Sequence, residues 1–191
     1  LTYITDLLYN SLDKGHDFTT VYLDISRYFE KIWHKGLLIK CEVEFGIRDN
    51  LLTWLESYLT DRQQTVNINN TTSQTLALDA GVPQGSVLGP LLAILYLNGL
   101  CDKTTNKMLF YADDCSLYSS YSPTDNFHDA QTTLQDDLDT IYNYGQTWAI
   151  TFNASKTTQQ HFTHRQQTNK PTLTFGGDRI PMVTDHKHLG L

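Results

Sequence analysis

Apolar residues recur along this chain at two periods, and the switches between them mark out its elements. Ile4, Leu7, Leu8 and Leu12 fall at helical spacing, and Gly15 follows as a stop. Phe18–Leu23 is aromatic and β-branched, which predicts a buried strand ending at Asp24. The helical period returns with Phe29, Ile32, Trp33, Leu37, Cys41 and Phe45, and Gly46 stands in the C-terminal stop position. Asn50 is expected to cap a second helix whose buried face is Leu51, Trp54, Leu55, Tyr58 and Leu59. Gln64–Ile68 alternates as a strand, Asn69-Asn70 turns, and Gln74–Leu78 returns, giving a hairpin. Gly81, Pro83, Gly85 and Gly89 bend the next stretch into a loop that other groups can approach closely. Ser86 is expected to cap the helix that carries Val87, Leu88, Leu91, Leu92, Leu95 and Tyr96.

The apolar run Met108–Tyr111 then ends in two adjacent carboxylates, Asp113 and Asp114, and the β-compatible run Cys115–Tyr118 follows at once. Aspartate tolerates tight-turn geometry, so this predicts a hairpin with acids at its tip. Ser122-Pro123-Thr124-Asp125 has the form of a helix start, and Phe127, Ala130, Leu134, Leu138, Ile141 and Trp148 give that helix one buried face. Strands are expected at Gln159–Thr163, at Pro171–Phe175 and near Ile180, with Gly176-Gly177-Asp178 as a turn. No repeat or flexible linker interrupts the pattern. It predicts one α+β unit, an antiparallel sheet with an acidic hairpin and helices packed on one face.

Composition narrows the picture. Of 191 residues, 40% are hydrophobic and 18% charged, which is globular and not disordered. No apolar run approaches the roughly 20 residues a membrane span needs, and no membrane partner is expected. The chain starts without Met and stops at Leu191, so it is read as an excerpt of a longer protein. Cys41, Cys101 and Cys115 are scattered and odd in number, which implies no disulfide framework. None is spaced with histidine as a zinc site requires, and His161, His164, His186 and His188 are taken as ordinary strand or surface residues. The net charge of −7 argues on its face against a nucleic-acid binder.

The candidate chemistry lies in the acids. Adjacent carboxylates on an ordered turn repel, and a hard cation such as Mg²⁺ relieves the repulsion. Asp24 leaves a buried strand. If that strand adjoins the hairpin, three carboxylates meet on one surface, the equipment of two-metal phosphoryl transfer.

Three segments in order, Tyr22-Leu-Asp-Ile-Ser-Arg-Tyr-Phe-Glu30, Gly81-Val-Pro-Gln-Gly-Ser-Val-Leu-Gly-Pro90 and Tyr111-Ala-Asp-Asp114, resemble the reverse transcriptases of non-LTR (LINE-like) retrotransposons. Lys31-Ile-Trp-His34, Tyr58-Leu-Thr-Asp-Arg62, Asn153-Ala-Ser-Lys-Thr157 and His188-Leu-Gly190 extend the match over nearly the whole chain. The resemblance implies a polymerase palm with the end of the fingers over residues 1–191, as a single domain fragment without the thumb or most of the fingers. It implies an RNA-directed DNA polymerase that uses an RNA template, a DNA or RNA primer and dNTPs. Two Mg²⁺, with Mn²⁺ as a substitute, would be held by Asp24, Asp113, Asp114 and the Ile25 carbonyl. Phe29 would gate the sugar of the incoming nucleotide by steric clash, although its periodicity equally allows a core role. Gln84 and Gly85 would lie beside the nucleotide and Tyr111 near the primer end. Lys156 would reach the triphosphate and protonate pyrophosphate, the alternative being a solvated lysine. His188-Leu-Gly190 would begin a primer-gripping hairpin.

Tyr28, Glu30 and Gly99 depart from the family pattern, and none of them is a proposed metal ligand. The resemblance also answers the charge objection, since the fingers and thumb carry most nucleic-acid contact. The lysines, among them Lys31, Lys35, Lys40, Lys107, Lys156 and Lys170, are spread over the palm and form no stripe. An acidic palm alone should bind nucleic acid weakly. Further partners would be the fingers, thumb and an endonuclease domain of the same polyprotein, and the site of action the nucleus. Two rival readings stay open: a group II intron or retron-type enzyme, and an inactive palm-like binding module.

Overall fold

The structure is a computed structural model that describes residues 2–111, 114–166 and 169–186. Its elements in order are α1 (Thr2–Asp13), β1 (Asp17–Asp24), α2 (Tyr28–Lys31), α3 (His34–Val43), α4 (Asp49–Leu59), β2 (Arg62–Gln64), β3 (Asn67–Ile68), β4 (Thr71–Thr72) and β5 (Leu76–Leu78). There follow α5 (Leu88–Leu97), a 3₁₀ turn at Cys101–Lys103, β6 (Lys107–Tyr111), β7 (Asp114–Tyr121), α6 (Phe127–Thr147), β8 (Thr158–Phe162), β9 (Thr174–Phe175) and β10 (Asp178–Arg179). The chain divides into two compact units. One joins the chain before Arg27 to Gly99–Thr147 and to the chain from Thr151 on; the other is Arg27–Asn98 with Trp148–Ile150.

The first unit is built on an antiparallel sheet in the order β6-β7-β1-β8. β1 is central and buried along most of its length, as its aromatic and β-branched composition predicts. It pairs residue for residue with β7, from Asp17 opposite Tyr121 to Asp24 opposite Asp114. Alternation along the strands gives each face its own set of residues. Val21, Leu23, Cys115, Leu117 and Tyr121 share one face, where the Tyr121 ring meets Phe127 of α6 at 6.0 Å. Leu134, Leu138 and Ile141 of α6 are fully buried there. Phe18, Tyr22, Asp24, Asp114 and Tyr118 belong to the other face. The three cysteines are free, Cys41 and Cys115 buried and Cys101 exposed.

The second unit packs α3 against α4 and α5, with α2 on α5. Its fully buried lysine, Lys40, lies 4.6 Å from the Trp148 ring and donates to the Asn98 carbonyl at 2.8 Å. That lysine belongs to the core and not to the palm surface.

Local details shift several expectations. The helix expected from Phe29 breaks at Ile32-Trp33 into α2 and α3. Asn50 does not cap α4, which starts one residue earlier with Arg48 in the cap position. Leu51 and Trp54 lie outside its buried face. On α5 the buried residues are Gly89, Leu92, Ala93, Tyr96 and Leu97, while Leu91 is exposed and Val87, at the cap before the helix, lies off its buried face. The Ser122–Asp125 stretch is a polar turn before α6, closed by Ser122 Oγ donating to Asp125 at 2.7 Å. The two hydroxyls of Ser122 and Thr124 hold the Asp125 carboxyl below its ordinary range. The expected 64–78 hairpin forms with its turn at Asn69-Asn70, both at positive φ, but its ladder is broken into two short pairs.

Candidate active site

Asp24 and Asp114 are direct partners across β1 and β7. The Asp24 carbonyl accepts from Asn153 N–H at 2.8 Å, on the side of β1 away from β7. Asp24–Asp114 is therefore a non-hydrogen-bonded pair, the kind in which Cα atoms approach to about 4.5 Å and side chains are closest. Two carboxylates placed so repel unless a cation joins them. The same reasoning orients Ile25. Ser26 N–H donates to the Thr151 carbonyl at 2.8 Å, so the intervening Ile25 carbonyl is directed to the β7 side of the strand, toward the acids.

One cation is already there. Lys156 Nζ lies 3.3 Å from Asp24 Oδ2, with both side chains open to solvent in part. The turn Asn153–Thr157 puts it there. The Asn153 side chain accepts from Ser155 N–H and Oγ, and its backbone carbonyl accepts from Lys156 and Thr157 N–H. Its own N–H ties the turn to the end of β1. Lys156 is thus a partner of Asp24 in this structure, more than a solvated lysine.

Tyr111 is the last residue of β6, 68% exposed and in register with Asp114. Asp113 lies outside the described residues, as does His188-Leu-Gly190. Among the described residues, no three metal-ligating side chains cluster. The oxygen donors that are described nonetheless suit a hard cation: two paired carboxylates and a main-chain carbonyl.

Phe29, Gln84 and Gly85 belong to the second unit. Phe29 is half-buried, whereas its neighbour Tyr28 is 4% exposed and donates from its hydroxyl to the Ala93 carbonyl. Tyr28 is the core aromatic of α2, which leaves Phe29 free for another role. The bulk of Tyr28 is absorbed between α2 and α5. The bent loop is sewn to α2 and its flank by backbone bonds, Val82 N–H to Phe29 O at 2.8 Å and Gly81 N–H to Ile32 O at 2.9 Å. Gly81 (φ +88°) is required there, because an added Cβ would come within 2.7 Å of the Glu30 carbonyl. At Gly85 (φ +77°) an added Cβ would meet nothing within 4 Å, so that glycine faces open space.

Two side chains hold this loop, and one of them, Ser86, stands at the start of α5 where the sequence reading expected a cap. His34 Nε2 donates to the Gly81 carbonyl at 2.6 Å. Ser86 Oγ donates to the Pro83 carbonyl at 2.7 Å and accepts from Gly89 N–H and the Tyr58 hydroxyl. Ser86 caps the turn into α5 from one residue before the formal cap position. In the first unit Asp137 plays a similar part. It accepts from Thr105 N–H and from the backbone and side chain of Asn106, all at 2.7–2.8 Å, fixing the start of β6. Only its place at a buried helix position pointed to it.

Residues 7–183 match the family model of the reverse transcriptase (RNA-dependent DNA polymerase). The chain belongs to the reverse transcriptase family. It is similar to the RNA-directed DNA polymerase from mobile element jockey of Drosophila funebris, 27% identical over 98% of this chain. It is 32% identical, over 84% of its length, to the probable RNA-directed DNA polymerase from transposon BS of Drosophila melanogaster. These relatives bear out the resemblance to non-LTR retrotransposon enzymes read from the motifs. The chain spans about a fifth of their length, 21% and 18% respectively. Among solved structures, the telomerase of Candida tropicalis truncated from its C-terminal domain superposes with a TM-score of 0.60 at 18% identity, over 92% of this chain and 36% of that one. At that identity the likeness shows a shared fold, which agrees with the palm-like α+β architecture.

Proposed function

We propose that this reverse transcriptase chain is the palm, with part of the fingers, of a non-LTR retrotransposon RNA-directed DNA polymerase. It extends a DNA or RNA primer 3′-hydroxyl along an RNA template with dNTPs. The observation that carries this reading is the non-hydrogen-bonded pair Asp24–Asp114, two carboxylates on one sheet face with a lysine drawn to them. Mg²⁺, or Mn²⁺ in its place, would be held by Asp24, Asp114, the Ile25 carbonyl and Asp113. Such ions, when bound, lower the pKa of an attacking hydroxyl and stabilise the leaving oxygen. The protein's own groups do the rest. Lys156 neutralises Asp24 in their absence and, once released, offers its Nζ proton to the departing pyrophosphate. Phe29 bars a 2′-hydroxyl, and Gln84 with Gly85 borders the nucleotide. The remaining fingers, the thumb and an endonuclease domain would belong to the same polyprotein. The site of action is the nucleus, which microscopy of the tagged parent protein would test.

The decisive experiment is Mg²⁺-dependent extension of oligo(dT) on poly(rA), with the chain restored to its full fingers and thumb and the Asp113→Ala protein run beside it. Extension by the parent alone supports the reading. Failure of both, with folded protein by circular dichroism, overturns it in favour of a binding module.

A further inference from the structure

Strand β8 runs in register with β1 as far as Thr158, opposite Tyr22. Pairing returns at Phe152, which forms an antiparallel bridge with Ile25. Five residues, Asn153–Thr157, therefore stand opposite two, Leu23 and Asp24. An unbroken ladder would match two with two, so the three in surplus make an excursion beside the end of β1. All of these residues belong to the first unit. Extra residues in one strand of an antiparallel pair bend it and re-aim its side chains, and they gather beside active sites.

Both ends of the excursion are tied down. On one side Asn153 N–H donates to the Asp24 carbonyl at 2.8 Å, and the Phe152 ring meets Phe175 at 5.7 Å. On the other, Thr157 is fully buried and donates from Oγ1 to the Asn153 carbonyl at 3.0 Å. Between them Ser155 and Lys156 are exposed. A lysine carries its charge on a flexible four-carbon stem. Its Nζ keeps to 3.3 Å from Asp24 Oδ2 only while the backbone below it keeps one shape. The Asn153 side chain braces that backbone. Its Oδ1 accepts from Ser155 N–H at 3.2 Å and from Ser155 Oγ at 2.7 Å, fixing the residue that precedes Lys156.

We propose that Asn153 is a positioning residue for the reaction: its side-chain oxygen sets the shape of the excursion, and that shape aims Lys156 at Asp24. The use of the aimed lysine as a proton donor rests on the function proposed above; the aim itself does not.

Two readouts test this. The first needs no activity: this chain is treated with limiting acetic anhydride, and acetylation of Lys156 is read by mass spectrometry against that of the exposed Lys107. Asn153→Ala should raise the relative rate at Lys156 by about two- to fivefold, the scale of an exposed ion pair released. Asp24→Asn should raise it equally, and the two changes together should add little to either alone. The second readout is primer extension by the full-length parent. Asn153→Ala should lower kcat by about tenfold to 10²-fold, with KM for dNTP moving less, as a misaimed group does. Asn153→Asp keeps the oxygen acceptor and should restore most of the rate. In a Lys156→Ala background, Asn153→Ala should cost little more. Ser155→Ala removes only the 2.7 Å donor at an exposed position, so it should lose less in the same direction. It keeps the test open if Asn153→Ala unfolds.

Unchanged acetylation of Lys156 in Asn153→Ala overturns the proposal. So does a loss of kcat that Asp fails to reverse, or one that adds in full to that of Lys156→Ala. Faster acetylation in Asn153→Ala without extension by the parent keeps the aim and sinks the polymerase; extension by the parent with acetylation unmoved does the reverse.

Discussion

The two ends of β1 each carry an aspartate, and the strand puts them to opposite uses. Asp17, at the start, is 1% exposed on the face that α6 covers. It lies 3.5 Å from His161 Nε2, while His161 Nδ1 meets Thr19 Oγ1 at 3.0 Å and Thr19 meets the Tyr121 hydroxyl at 2.9 Å. Asp24, at the end, is on the other face, about a third exposed, opposite a second carboxylate and beside a mobile-stemmed lysine. An odd number of steps separates them, so alternation alone sends the two acids to opposite sides of the sheet. One acid is enclosed in a network of the protein's own groups. The other is left with like charge for a neighbour, and its energy is lowest when something from outside arrives.

The largest effect should come from breaking the open end. Asp24→Asn keeps the shape of the strand but removes a charge, and primer extension by the full-length parent should fall by about 10²–10³-fold or more, the scale of a lost electrostatic group at a reacting centre. Unchanged thermal stability would locate the loss in chemistry. Lys156→Ala should lower kcat by about 10²-fold or more, as removal of a general acid does, with KM for dNTP moving less. A drop confined to KM would instead make Lys156 only a binding group.

Breaking the closed end should leave the chemistry alone and cost stability. Asp17→Ala strips a buried histidine of its neighbour and should destabilise the fold by about 1–3 kcal/mol in chemical denaturation. The smallest expected effect is a pH dependence. Burial holds the His161 imidazole below its ordinary pKa, opposed by Asp17 and assisted by Lys170. The unfolded chain then takes up a proton, at pH values just below about 6.5, that the folded chain refuses. Stability should fall as pH drops through that window, by up to about 1.4 kcal/mol per pH unit, and His161→Gln should flatten the slope. A slope that survives the substitution would assign the dependence to another group.

The contrast also explains what the sequence made legible. β1 was plain from its aromatic and β-branched run, and the long α6 from its period and buried face. The pairing of Asp24 with Asp114 could be posed only as a condition, because which strands adjoin is set by contacts between segments far apart in the chain. The polymerase motifs were legible because they are contiguous. The roles of His34 and Asp137 were not, since each acts through a partner far along the chain: His34 on the Gly81 carbonyl 47 residues on, and Asp137 on a turn 31–32 residues back. The exposed turn of α5 was misplaced for a related reason. Val87 and Leu91 are as apolar as Leu92, and only the third dimension distinguishes them. The broken α2–α3 helix shows the same limit, because a two-residue interruption at Ile32-Trp33 leaves the apolar spacing almost intact.

The residue-for-residue ladder between β1 and β7 also sets how this gene segment tolerates copying errors. Inserting or deleting a single codon in β1 would exchange its two faces, carrying Asp24 toward α6 and Val21 to the face of Phe18 and Tyr118. The exposed ribbon around Asn69-Asn70 is joined by short ladders and should absorb the same lesion with little consequence. In a lineage of diverging copies, length changes should therefore accumulate in the ribbon. A copy altered in length between Asp17 and Asp24 would have lost its chemistry even with every acidic codon intact.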